Sequence, residues 1–321
     1  MLPALGANAW AGWALESTWG TKATSGFQYY EIAAGETLAL KQVYYESPAL
    51  NGAAKKGIIQ GTKSFSGDLP CPMQYEGLEL LLKHALGSVS TAASGSGYKH
   101  TFTPTDALMS GEGLTVEMNR EQPTGNSFFG VGCKITKLAF AIEKDQILSC
   151  VASFHGKDVE LASEGTPSFP TAPYILQTHL VVTDSGFTGT VDVLRATIEI
   201  LNPVTEDRHD LASSGDLKEQ QRSAKRSVNI SVEGEFGEGT QYTDWTSDTE
   251  GQLIFTWTGP EYTTGENYEL VMTANGKWTN RPPQVSDQGP VKLNGTFACF
   301  EDGSTPDIEI ELTNEVSSIP S

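Results

Sequence analysis

Residues Ile58–Met73, IIQGTKSFSGDLPCPM, alternate in character across their middle. Thr62, Ser64, Ser66 and Asp68 fall on one side of an extended chain, and Phe65 and Leu69 on the other. A period of two marks a strand with one face in a core and the other toward water. Ala224–Phe236, AKRSVNISVEGEF, carries the pattern again, setting Asn229, Ser231 and Glu233 against Val228, Ile230 and Val232. The same kind of strand in each half of the chain predicts a mainly β protein whose plan is used twice.

The surroundings of the two strands match in order. ETLALKQVYYES (Glu36–Ser47) precedes the first and halts at Pro48; VDVLRATIEI (Val191–Ile200) precedes the second and halts at Pro203. In the latter, Leu194, Ala196, Ile198 and Ile200 are expected inward. CKITKLAFAIE and ILSCVASFHGKD then read as paired strands, as do YELVMTANGKW and VKLNGTFACFED later, with PDIEIELTN as a last strand. One short helix is expected, at about 76–86: Leu78, Leu81, Leu82 and Ala85 have helical spacing and Gly87 follows as a cap. No equivalent helix is evident in the second half. Ser88–Gly97 reads as a Gly/Ser-rich loop, and SEGTPSFPTAP (Ser163–Pro173) as the linker. The domain expectation is therefore 1–165, a β domain with an N-terminal arm, and 166–321, a second and duplicated β unit.

The composition suits a folded, turn-rich protein: 321 residues, 38% hydrophobic, 19% charged, with 33 Gly and 16 Pro. A net charge of −19 argues against a protein that grips a polyanion, though not against one that lets a polyanion slide past. The start of the chain lacks the basic and apolar regions of a signal peptide, and no run has the length of a membrane span, so synthesis in a cytoplasm is expected. Cys71, Cys133, Cys150 and Cys299 show no metal-site spacing and are expected as reduced thiols. The five histidines share no motif. No phosphate loop, dinucleotide fingerprint, nucleophile elbow or H-E-x-x-H helix occurs, so no cofactor, metal or catalytic residue is assigned.

Trp10, Trp13 and Trp19 crowd the first twenty residues. Such an arm either folds back on its own domain or packs on a neighbour. The basic pairs Lys55/Lys56 and Arg222/Arg226 lie in the loops before the two alternating strands, either solvated or bridging to an acidic neighbour.

GWALESTWGT, IIQGTKSFSGDLP, LELLLKHALGS, YKHTFTPTDAL and the paired strands after them together resemble the tail tube (major tail) proteins of long-tailed, non-contractile bacteriophages. The resemblance covers Ala11–Lys157 by order and wording and the second half by strand layout. It implies a tail-tube-type β-sandwich or barrel, duplicated in the chain, and a structural virion protein rather than an enzyme. It also implies rings stacked into a tube, of three duplicated chains with pseudo-sixfold symmetry or of six chains. Tape-measure, tail terminator and baseplate or distal tail proteins would be the partners, with DNA only in transit and no membrane. Thr62, Ser64, Ser66, Asp68, Asn229, Ser231 and Glu233 would then face an acidic lumen, outer solvent being the alternative from periodicity. Trp10, Trp13, Trp19, Lys55, Lys56, Arg222 and Arg226, with the loops Asn51–Gly57 and Asn202–Arg226, would serve contacts between subunits or rings. A carbohydrate-binding or adhesin-like sandwich of a virion fibre is the competing expectation, with exposed Trp and Tyr as its sugar platform.

Overall fold

A computed structural model of the chain describes residues 6–46, 57–105, 111–121, 125–189, 193–209, 216–285, 288–303 and 305–319. Strand takes 59% of it and helix 8%, a mainly β fold. The first half runs β1 (Trp10–Leu15), β2 (Gln28–Glu31), β3 (Ala39–Glu46), β4 (Ile58–Pro72), α1 (Glu79–Leu86), β5 (Gly87–Ser94), β6 (Gly97–Pro104), β7 (Leu114–Asn119), β8 (Asn126–Glu143), β9 (Ser149–Gly156) and β10 (Asp158–Ser163). The second runs β11 (Leu180–Ser185), β12 (Val193–Leu201), β13 (Ser227–Glu235), α2 (Gly239–Thr246), β14 (Glu250–Thr263), β15 (Glu266–Asn280), β16 (Pro283–Gln284), β17 (Lys292–Cys299) and β18 (Ile308–Asn314).

Every strand pair among the described residues is antiparallel. In the first half the neighbours are β3-β4-β9-β8 in one layer and β2-β1-β7-β8-β10 in the other, with long β8 running through both. In the second half they are β12-β13-β17-β15 and β11-β14-β15-β18, with β15 in the role of β8. The row Ala39–Ser66–His155–Lys134 recurs as Glu199–Asn229–Ala298–Lys277. Even the irregularities coincide. β8 shifts register between Ile135 and Lys137, and β15 between Trp278 and Asn280. At each bulge a threonine hydroxyl donates across the ladder, Thr136 to the Ser153 carbonyl at 3.2 Å and Thr279 to the Thr296 carbonyl at 3.1 Å. These rows align Ser66–Gly67–Asp68 with Asn229–Ile230–Ser231, two residues along from the pairing that the sequence pattern suggests.

Three expectations need correction. Ser88–Gly97 is no loop: β5 pairs with β6 along its length, and β6 in turn pairs with β18 of the second half. The second half has a helix after all, α2, between β13 and β14 as α1 lies between β4 and β7. Its sequence, GTQYTDWT, has no apolar stripe, and its first turn is instead held by Gln241 Oε1 accepting from the Gly237 N–H at 3.1 Å. The expected helix of the first half is present, spanning Glu79–Leu86. Leu194 is exposed because β12 slips register between Val193 and Arg195; Ala196, Ile198 and Ile200 are buried.

The two halves are continuous. β8 pairs with β12 from Lys137↔Leu201 to Glu143↔Arg195, so the two four-strand layers make one sheet: β3-β4-β9-β8-β12-β13-β17-β15. β3 at one end carries no strand on its outer side among the described residues. At the other end β15 stops at Asn280, and Arg281–Pro282 interrupt it before β16 resumes beside β17. Gly67, at φ +152°, lets β4 pass close over Thr37; a Cβ there would sit 2.4 Å from the Thr37 carbonyl oxygen.

Candidate functional site: a one-sided polar sheet

Inside the sandwich lie Phe65, Leu69, Cys150, Phe154, Leu138, Phe140, Ile198, Ile200, Val228, Ile230, Val232 and Phe297, all buried. The residues between them point to the opposite face. Along β4 these are Thr62, Ser64, Ser66 and Asp68; along β13, Asn229, Ser231 and Glu233. The ladders carry that face across the whole sheet: Asp68 is opposite Ser153, Ser153 opposite Lys137, Lys137 opposite Leu201, and Ser231 opposite both Thr197 and Thr296. All seven residues expected to line a lumen therefore share one face of one sheet. Sequence periodicity could assign each strand's sides; only the ladder puts the strands together.

The chemistry of this face is small, polar and of mixed charge. Ser153 Oγ donates to Asp68 Oδ1 at 2.5 Å. Lys292 Nζ lies 2.6 Å from Glu233 and holds its carboxyl below the usual range. Arg195 meets Glu143 at 3.3 Å across the β8–β12 seam. Asp68, Glu143, Glu199, Glu233 and Glu235 are thus interspersed with Lys41, Lys137, Arg195, Lys277 and Lys292. Glu46, opposite Ile58, and Glu206, beside the Ser66–Asp68 cleft, add to the acids of this face. Two shallow clefts open on it, of about 300 Å³ beside Ser231 and Glu233 and about 380 Å³ over Ser66 and Asp68.

The residues expected at contacts between subunits fare differently. Trp13 is fully buried and Trp10 nearly so, because β1 is covered by β2 and β7 and packs into the core. They belong to the chain's own interior. Trp19 is half-buried and donates its indole N–H to the Gly132 carbonyl at 3.0 Å, so the arm folds back. Arg226 pairs bidentately with Asp307, both oxygens at 3.1 Å, and with Arg222 reaches the Thr105 carbonyl at 3.3 Å. Those arginines tie the second half to the end of β6. Lys55 and Lys56, with the rest of the loop before Gly57, lie outside the described residues. Among the described residues, an exposed apolar surface runs along the outer strands: Val43, Tyr44 and Tyr45 of β3 with Ile58 and Ile59 of β4.

No tryptophan is exposed: Trp10, Trp13, Trp257 and Trp278 are buried and Trp19 and Trp245 half-buried, which leaves no indole platform for a sugar. All four cysteines are free thiols, three of them buried. Among the described residues no group of three or more His, Cys, Asp or Glu is placed to hold a metal ion, and no helix is long and apolar enough to cross a membrane.

Two comparisons bear on what such a sheet is for. No curated protein matches the sequence. A family model described as phage tail tube protein matches residues 6–304, nearly the whole chain and both of its halves. A sandwich with a one-sided polar sheet and a match of that extent give one conclusion: this chain belongs to the phage tail tube protein family and is a structural protein of the virion tail.

Proposed function

We propose that the chain is two tail-tube units in tandem, meeting near residue 165, and that three copies close into a ring with pseudo-sixfold symmetry. Rings stack into the tube through which the genome leaves the virion. The observation that carries this is the β8·β12 seam, where one four-strand layer continues into its repeat edge to edge with the polar face kept on one side. Applied again, the same operation sets the outer side of β3 against the β15–β16 margin of the next copy. The two margins differ, so contact is head-to-tail, and a head-to-tail contact that closes gives a ring. Closure covers both edges, which in a lone chain are an aggregation hazard. Thr62, Ser64, Ser66, Asp68, Asn229, Ser231 and Glu233 then line the bore. There, carboxylates sit among the lysines and arginines, so passing phosphates meet few free cations.

The outer ends of β3 and β4, with exposed Val43, Tyr44, Tyr45, Ile58 and Ile59, are the surface for stacking one ring on the next. Assembly takes place in the host cytoplasm, around a tape-measure protein and between terminator and distal tail proteins. Electron microscopy of the purified protein tests this. Rings or tubes with three chains per layer are expected; a protein that stays monomeric at every concentration, or layers of six whole chains, would refute it.

A further inference from the structure

We propose that α2 is an intermolecular clamp that docks on the first half of the next copy, much as α1, packed in its own half, bonds across to the second half of its chain. The proposal rests on the ring described above. Within the chain, α1 is buried at every residue but Lys83. Two of its bonds cross to the second half. Asn202 Nδ2 donates to the Ala85 carbonyl at 2.8 Å, and Asn314 Nδ2 donates to Glu79 Oε1 at 2.8 Å. α2 occupies the matching place in the second half, yet it buries only Gln241 and Asp244 and leaves Tyr242 43% exposed. It is the same device without its partner.

The first half holds the complementary vacancies. Asn202 directly follows Leu201, whose counterpart in the repeated rows is Lys41; the counterpart of Asn202 is therefore Gln42. The Gln42 Nε2 group is buried and has no hydrogen-bond partner. Leaving a buried amide unpaired is unfavourable, and a carbonyl in the last turn of a docked helix satisfies it as Ala85 satisfies Asn202. Close by, Leu40, Phe65, Met118, Phe128 and Leu161 line an apolar groove of about 310 Å³. Its far wall is the free edge of β10. In the second half the corresponding strand, β18, is covered by the β5–β6 hairpin, with Ile310 opposite Phe102 and fully buried; Leu161 of β10 is 57% exposed. No second hairpin exists to cover β10, since only Ser247–Thr249 separate α2 from β14. The helix itself is thus the available occupant, and Tyr242 is the side chain that fills the groove.

Hydrogen exchange on the unassembled chain and on assembled particles tests the clamp, with electron microscopy on the same samples. Amides of residues 236–249 and 38–42 should gain protection on assembly, while those of α1 stay equally protected in both states. Tyr242→Glu should leave the circular dichroism and melting of the unassembled chain unchanged and raise the concentration needed for assembly roughly tenfold or more. Rings whose α2 amides exchange as fast as in the free chain, or a Tyr242→Glu protein that assembles normally, would overturn the clamp and leave the ring standing. A protein that forms no rings at all removes the ring, and the clamp with it.

Discussion

Glu79 sits in the joint between the two halves, and replacing it by glutamine should make the stability of the chain less sensitive to pH. Its carboxylate is fully buried, accepts from the Gly77 N–H at 2.8 Å and from Asn314 Nδ2 at 2.8 Å, and has no cation beside it. Burial raises its pKa from an ordinary 4.5 to about 7, against the smaller opposing effect of those bonds. The native chain thus keeps a proton that the unfolded chain gives up from about pH 4.5, and native stability falls as pH rises between those values. At about 1.4 kcal/mol per pH step the full cost is about 3 kcal/mol, most of which falls between pH 5 and pH 8. Glutamine keeps one acceptor and loses the other, at a pH-independent cost of about 1 kcal/mol. Urea unfolding of both proteins at pH 5 and pH 8, at concentrations too low for assembly, reads the difference. The gap should swing by about 2–3 kcal/mol toward Glu79→Gln at the higher pH. A gap that stays the same at the two pH values would mean that Glu79 holds no extra proton in the native state, and the reasoning fails.

Thr136→Val and Thr279→Val should each cost about 1 kcal/mol and by similar amounts, since each removes the same bulge hydrogen bond; a cost at one site only would deny the equivalence of the halves. Glu143→Gln and Glu233→Gln break exposed pairs, so thermal unfolding of the chain should move by less than about 0.5 kcal/mol. In assembled tubes the loss of two negative charges beside Arg195 and Lys292 should slow DNA release in a salt-dependent way, and release at the normal rate would count against a bore lined by this face. Trp13→Ala should cost about 3–5 kcal/mol and be seen as failure to fold or a large fall in the denaturation midpoint; a stable variant would contradict the burial of the arm.

What the sequence discloses is set by how much each element says about its own neighbours. β4 and β13 are legible because half-burial forces alternation, and Phe65, Leu69, Val228, Ile230 and Val232 all lie inside as expected. β5 is not, because GSVSTAAS has no large side chain; it is a strand only by virtue of pairing with β6. α2 is hidden for a related reason. A helix that buries two polar residues shows no stripe to detect. β1 misleads in the other direction: WAGWAL is buried on both faces between β2 and β7, and without alternation it resembles an arm. The alignment of the halves is written in backbone rows and in two threonines, where residue identity is low. The polar face is partly legible, strand by strand, but its mix of charge depends on Lys137, Arg195 and Lys292 standing among acids on strands distant in sequence.

Pro282 and Pro283 give the margin at β15–β16 a particular temper. Proline has no N–H to donate, and alternation along an extended chain turns one of the two toward the unpaired side. A neighbour that zips onto this margin forms a sparser ladder than the one joining β8 to β12, so a mispaired encounter comes apart before it sets. In the proposed ring of three, permanence would then belong to the finished circle, where each weak joint would be held shut by the other two.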